Sequence, residues 1–335
     1  MANSFSYHVT KYFSEYLPLH VGAAENTCKS YRDTFVQMLI YLENEQMIPP
    51  HKISLETLSA DAVEGFLLHL EKAKGIGVST RNQRLAAIHS FAKYLQKKEP
   101  SCFGRCSDIL AIPFKKNPAC TMAWLSVREI EILFSIPDLI SRKGLRDLAI
   151  MTTLYETGAR VQELIDLTIA NLRIFEGNPT VALRGKGNKL RYVPIRQDAA
   201  NILSKYLEAF CIEGDSSVVF TNSRKQKLTR AGVQYIVSRN INAARLACPD
   251  LFRQKYSNHS YRHSKAMHLL EAGVNLVYIR DFLGHSSVTT TEIYAKTNPD
   301  IKRKVIIENS LVETVAVQYS DEKRDDLLNW LKTEL

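Results

Sequence analysis

Apolar positions recur at helical spacing along the first hundred residues. Within Glu25–Gln46, Tyr31, Phe35, Met38, Leu39 and Leu42 fall mostly three or four apart, on one face of a helix. Ser59-Ala-Asp-Ala opens a second helix through Phe66, Leu67 and Leu70, which Gly75-Ile-Gly77 breaks. Residues 79–97 read as a third, with Leu85, Ile88, Phe91 and Leu95 inward and Arg81, Arg84 and Lys93 on its other faces. An earlier helix is expected over residues 5–17. Residues 1–100 therefore read as one all-helical domain.

Periodicity is lost over most of residues 101–121. Gly104, Pro113 and Pro118 stand there among small and polar residues, the composition of an interdomain linker with some local order. Helical patterning resumes at Leu125-Ser-Val-Arg-Glu129, where Ser126 and Glu129 have capping-box spacing ahead of Ile130, Leu133 and Phe134. A second domain over residues 122–311 is expected to be mainly helical with one strand insertion. Thr180-Val-Ala-Leu-Arg184 and the run from Lys189 to Ile195 are β-rich and flank Gly185-Lys-Gly-Asn188, a hairpin signal. Another helix starts near Thr229. The expected fold is mainly α with a small antiparallel β-sheet.

Composition narrows the class. Of 335 residues, 45% are apolar and 24% charged, which excludes wholesale disorder and fibrous repeats. The net charge is 44 − 35 = +9, which favours a polyanionic partner, nucleic acid before membrane. Residues 312–335 carry six acidic and three basic side chains, so the body holds about +12 and the tail −3. In that tail Leu327, Leu328, Trp330 and Leu331 share one face of a short helix that needs a docking surface, on its own domain or on another subunit. No apolar run approaches the roughly 18–20 residues that span a bilayer, and the first residues lack a signal-peptide pattern. The six cysteines are scattered, as expected of reduced thiols in the cytoplasm. Cys102 and Cys106 have no second ligand pair, so no metal is expected.

Four segments of the second domain carry reactive side chains. They are Thr157-Gly-Ala-Arg160-Val-Gln-Glu163, the hairpin tip with Lys186, His259-Ser-Tyr-Arg262-His263, and the run from Leu283-Gly-His285 to Tyr294. Singly, each has an ordinary explanation as a cap, a turn or a core position. Together they suit one reaction. Two arginine forks hold the non-bridging oxygens of a phosphodiester as negative charge builds. Histidines donate hydrogen bonds or move protons near neutral pH. A lysine on a hairpin reaches a leaving oxygen, and a tyrosine hydroxyl is a nucleophile for a covalent intermediate. No acidic cluster suited to two magnesium ions is apparent in the sequence, so side chains supply the positive charge.

The order Thr-Gly-Ala-Arg, Gly-Lys-Gly-Asn-Lys, His-x-x-Arg-His, Leu-Gly-His and a tyrosine nine residues later resembles the tyrosine recombinase (phage integrase) family. The resemblance covers about residues 25–300 and includes the helices with Thr27, Tyr31 and Phe35 and with Ser79-Thr-Arg-Asn-Gln-Arg84, similar to that family's core-binding domain. It implies a helical core-binding domain followed by a mixed α/β catalytic domain. It implies that Arg160 and Arg262 clamp the scissile phosphate and that Lys186 protonates the departing 5′ oxygen. By the same resemblance, His259 is the acid/base toward the tyrosine, His285 hydrogen-bonds a phosphate oxygen and Tyr294 attacks to give a 3′-phosphotyrosyl link. Glu163 is expected to orient Arg160, and His263 to support the site. Ala159 and Tyr261 depart from the larger aliphatics frequent in the family, a matter of packing.

The implied activity is DNA strand cleavage and rejoining without cofactor, metal or ATP, on double-stranded DNA with inverted-repeat core sites. A homotetramer on DNA is implied, with accessory proteins an open question. Two domains on one linker suggest a clamp around the duplex. The basic, amphipathic helices over 79–97 and 229–245 are the candidates for groove contact, through Arg81, Arg84, Lys93, Arg230 and Arg239. A type IB topoisomerase-like enzyme fits less well, because the helical N-domain and the Leu-Gly-His to Tyr spacing are those of recombinases. A catalytically inactive DNA-binding relative is disfavoured by the full reactive set. Within the family, the absence of room for an arm-binding domain fits a minimal two-domain enzyme. A tail of 335 − 294 = 41 residues favours an integrase or transposase of a mobile element over a Xer-type dimer-resolution enzyme.

Overall fold

The computed structural model describes residues 4–117, 122–174, 177–285, 287 and 291. The chain divides into two compact units, Met1–Cys120 and Thr121–Leu335.

In the first unit, α1 (Phe5–Lys11) is capped by the Ser4 hydroxyl and runs into a π-helical stretch, Tyr12–His20, that contains Pro18. Helices α2 (Glu25–Gln46), α3 (Ala60–Lys74) and α4 (Val78–Lys98) follow the expected periodicity. Ser59 accepts from Ala62 N at the start of α3, and Gly75 closes it at φ 60°, a left-handed conformation cheap only for glycine. The inward faces meet in an aromatic core. The rings of Phe35 and Tyr12 stand edge-on to Phe91 at 5.0 and 5.1 Å, and Tyr12 donates to Ser90 Oγ at 2.7 Å.

The linker reading of residues 101–121 needs correction. Phe103–Ala111 forms α5, with Cys102, Cys106, Ile109 and Ile112 buried in this core. Beyond it, Asn82 Nδ2 donates to Lys115 O at 2.7 Å and Lys115 N returns a bond to Asn82 Oδ1 at 3.1 Å. Cysteines and isoleucines share the buried face, and the helix is only nine residues long, with Gly104 within it and Pro113 just after it, which concealed it.

The second unit opens on α6 (Val127–Ser135), where the Ser126–Glu129 capping box is present. Glu129 Oε1 additionally accepts from Phe252 N at 3.0 Å and Tyr256 OH at 2.8 Å. The central α7 (Arg142–Thr157) is buried along most of its length, and the short α8 (Val161–Ile165) follows it after one turn. Strands β1 (Leu172–Arg173), β2 (Thr180–Arg184) and β3 (Leu190–Pro194) form an antiparallel sheet in that order, with Val181 opposite Val193. The hairpin β2–β3 was expected. β1, at two residues, is too short for alternation to reveal. Helices α9 (Gln197–Phe210), α10 (Arg230–Ala247), α11 (Asn258–Glu271) and α12 (Leu276–Leu283) complete the described part of this unit. The fold is mainly helical with one small antiparallel sheet. Among the described residues, no helix is long and apolar enough to cross a membrane, and no group of three potential metal ligands occurs.

Candidate active site

The end of α7 creates the first half of the site. Gly158 stops that helix at φ 56°, and a Cβ there would meet Leu283 Cδ2 and Phe282 Cε1 at 3.0 Å. The left-handed backbone favours glycine, and any larger residue would also press on Leu283 and Phe282. The turn delivers Arg160 as the residue before α8. Glu163, one turn on, accepts from Arg160 N at 2.8 Å and from its guanidinium at 2.9 Å. Glu163 thus lies in direct contact with Arg160, the residue it is expected to orient. Burial alone would raise its carboxyl; Arg191 and then Arg160 outweigh that and hold it below the usual carboxylate range.

The second half comes from α11. His259, Arg262 and His263 lie on its first two turns, the histidine rings one turn apart with centroids at 6.4 Å. Arg262 is 3% exposed and donates to Gly158 O and to Leu283 O, both at 2.6 Å. One guanidinium thus joins the turn before Arg160 to the end of α12. Tyr261 is fully buried and Ala159 2% exposed, so both departures from larger aliphatics are core positions.

Past α12, Gly284 turns the chain at φ 64° into His285. His285 Nδ1 lies 3.0 Å from the buried Thr291 hydroxyl. The two atoms are at hydrogen-bond distance, and whichever tautomer the imidazole takes sets which of them donates. Burial first, then the fields of Arg262 and Arg160, push His285 down to about 4. Burial, with His259 and Arg262, brings His263 to about 4 as well. His259 is lowered by burial and by Arg262 and Arg160. All three imidazoles are thus held below the ordinary histidine value, which favours their neutral form.

The structure brings Arg160, Glu163, His259, Arg262, His263 and His285 into one constellation. Lys186 stands in the hairpin turn Lys186–Asn188, where Gly187 and Asn188 have φ 73° and 62°. Tyr294 and the tail over 312–335 lie outside the described residues.

The expected DNA-contact residues divide. Arg81 is only 7% exposed and donates to Pro113 O at 3.0 Å, so it fastens the segment after α5 rather than lying open on a helix face. Helical periodicity alone did not reveal that a further segment covers this side of α4. Arg84 donates to Ser30 O and Thr34 Oγ1 at 3.2 and 3.1 Å, joining α4 to α2. Lys93 and Arg230 are exposed. Arg230 Nε reaches Gln162 Oε1 at 2.7 Å. Arg239 pairs with the buried Asp147 of α7, which also accepts from Arg146 and Asn240 at 3.2 Å.

Sequence reasoning missed Arg191. Its fork grips both oxygens of Glu163, Nη1 to Oε1 at 3.0 Å and Nη2 to Oε2 at 2.8 Å. The signal was its register: it lies on the same strand face as the buried Val193, where a charge needs a partner.

Comparison with known proteins finds relatives along most of the chain. The model of the phage integrase family matches residues 123–300, and that of the phage integrase N-terminal SAM-like domain matches residues 10–99. The chain is 33% identical over 299 residues to y4rC of Sinorhizobium fredii, named as an integrase/recombinase, covering 89% of this chain and 90% of that one. It is 34% identical over 278 residues to the tyrosine recombinase XerD of Haemophilus influenzae, covering 82% and 88%. It shares its fold with the XerH site-specific recombinase in a post-cleavage complex with a palindromic difH substrate, at TM-score 0.65 and 22% identity, covering 87% and 81%. With a family model over more than half its length and relatives above 30% identity along most of it, the chain belongs to the phage integrase family, the tyrosine recombinases.

Proposed function

We propose that this chain is a mobile-element recombinase that cleaves and rejoins duplex DNA at a specific site through a covalent link to Tyr294. The observation that carries this reading is the convergence of Arg160, Arg262, His259 and His285 at the end of α7 and the start of α11. A scissile phosphate set against Arg160 meets donors that strengthen as charge builds on its oxygens. Arg262 adds its charge from below, and His285 offers Nε2–H to a non-bridging oxygen. The Tyr294 oxygen attacks phosphorus while its proton passes to neutral His259. The bond to the 5′ oxygen breaks, and Lys186 protonates that oxygen. Reversal with a different 5′-hydroxyl rejoins the strand, and the phosphotyrosyl bond conserves the energy that religation needs.

The DNA partner carries inverted core sites in this reading, each bound by one protomer, with four protomers in the recombining complex. Exposed Lys93 and Arg230 contact the backbone. The acidic tail over 312–335 links protomers.

Recombination of a duplex carrying two sites in EDTA, without nucleotide, tests the chemistry. Product under those conditions supports it, and a strict metal requirement contradicts it. Similarity to XerD favours a second biological role, resolution of chromosome or plasmid dimers. Cells expressing the chain decide between the two: an excised circle with joined element ends supports the mobile-element role, and monomerised plasmid dimers without any circle support the other.

A further inference from the structure

Arg191 has no part in the chemistry above, yet it stands at a junction of three elements that carry it. It lies on β3, the strand leaving the Lys186 turn. Its two terminal nitrogens hold Glu163, and its Nε donates to Phe282 O at 3.1 Å, close to the end of α12 and two residues before Gly284. The side chains are 12% exposed for Arg191 and 5% for Glu163. Gly284 makes room for the arginine. A Cβ there would lie 3.2 Å from Arg191 Cδ and Nη1 on a backbone with φ 64°.

The charges decide what this junction does. Glu163 is a buried carboxylate touching Arg160, and a buried carboxylate draws an adjacent guanidinium strongly. With Arg191 present, the group Arg160, Arg191, Arg262 and Glu163 carries +3 − 1 = +2. Without it, the sum is +1 and the whole negative charge of Glu163 falls on Arg160, in competition with any phosphate. We propose that Arg191 is a positioning residue, which neutralises Glu163 so that Arg160 keeps its charge for the scissile phosphate and which locks the strand after the Lys186 turn to the chain leading into His285. The proposal rests on the reading of Arg160 as a phosphate clamp.

Arg191→Met, Arg191→Lys, Glu163→Gln and the double variant Arg191→Met/Glu163→Gln are compared for single-turnover formation of the covalent complex on a nicked duplex. DNA binding and melting temperature are measured alongside. Arg191→Met is expected to slow cleavage about 100-fold at saturating protein, the scale of a lost transition-state donor. In the Glu163→Gln background the same change is expected to cost less than about threefold, because the charge it opposes is gone. Arg191→Lys keeps the charge but not the fork, and is expected to stay within about tenfold of wild type. Equal losses from Arg191→Met in both backgrounds overturn the proposal. Where the methionine variant melts early, the lysine variant carries the test, and a loss as large as that of methionine overturns it. A wild-type chain that forms no covalent complex overturns the phosphate-clamp reading itself.

Discussion

Arg262 donates to the Leu283 carbonyl at 2.6 Å, which fixes an arginine of α11 to the last residue of α12. Its other terminal nitrogen holds Gly158 O at the same distance. The phosphate-clamp candidate is therefore also the staple that sets the separation between Arg160 and His285. The spacing of the site thus rests on two backbone carbonyls as well as on its side chains.

Gly158→Ala tests that dependence. The new methyl group meets Leu283 and Phe282 at 3.0 Å on a backbone with φ 56°. Strain and displacement of α12 together are expected to cost about 1–3 kcal/mol of stability, measured by denaturant unfolding. Cleavage should fall further than stability explains. A variant as stable and active as wild type would show that α12 yields without consequence.

Arg81→Met should act on stability more than on DNA affinity. The side chain is 7% exposed and its guanidinium serves Pro113 O. Its loss is expected to cost about 1–3 kcal/mol in the first unit. The slope of log affinity against log salt should stay unchanged, whereas a lost phosphate contact lowers it by about one. A reduced slope with unchanged stability would return Arg81 to the DNA surface.

The neutral histidines give the stability a pH dependence of known sign. His263 and His285 lie at about 4 in the folded protein, and an unfolded histidine near 6.5. Between those values the unfolded chain binds protons that the folded chain refuses, so stability falls as pH drops from about 6.5 towards 4. Denaturant titrations across this range measure the effect, and His263→Asn should reduce the proton uptake on unfolding by about one. Unchanged uptake would place His263 in a more solvated setting.

Lys186→Ala should lose cleavage on ordinary DNA and regain it on a 5′-bridging phosphorothiolate, whose thiolate leaves without a proton. Equal defects on both substrates would remove Lys186 from the general-acid role.

The gathering of Arg160, His259, Arg262, His263 and His285 was legible in the sequence because each position is fixed by local grammar. Gly158 before Arg160, the α11 spacing of His259, Arg262 and His263, and Gly284 before His285 are turn and helix signals. What stayed hidden depends on tertiary partners. Arg191 reads as one more basic residue in a β-rich hairpin until Glu163 and Phe282 O are seen around it. Arg81 reads as an outward helix arginine until the segment after α5 folds over it. That segment reads as a linker because Gly104 and Pro113 interrupt it and its helix is only nine residues long, yet it buries Cys102, Cys106, Ile109 and Ile112.

The central claim is that Tyr294 forms the covalent link to DNA. The direct measurement is mass spectrometry of the peptide trapped on a nicked duplex, in parallel with Tyr294→Phe. The account predicts a single DNA-linked peptide containing Tyr294, and no covalent complex from the phenylalanine variant at undiminished DNA binding. An adduct on another residue, or cleavage by purified Tyr294→Phe, would contradict it.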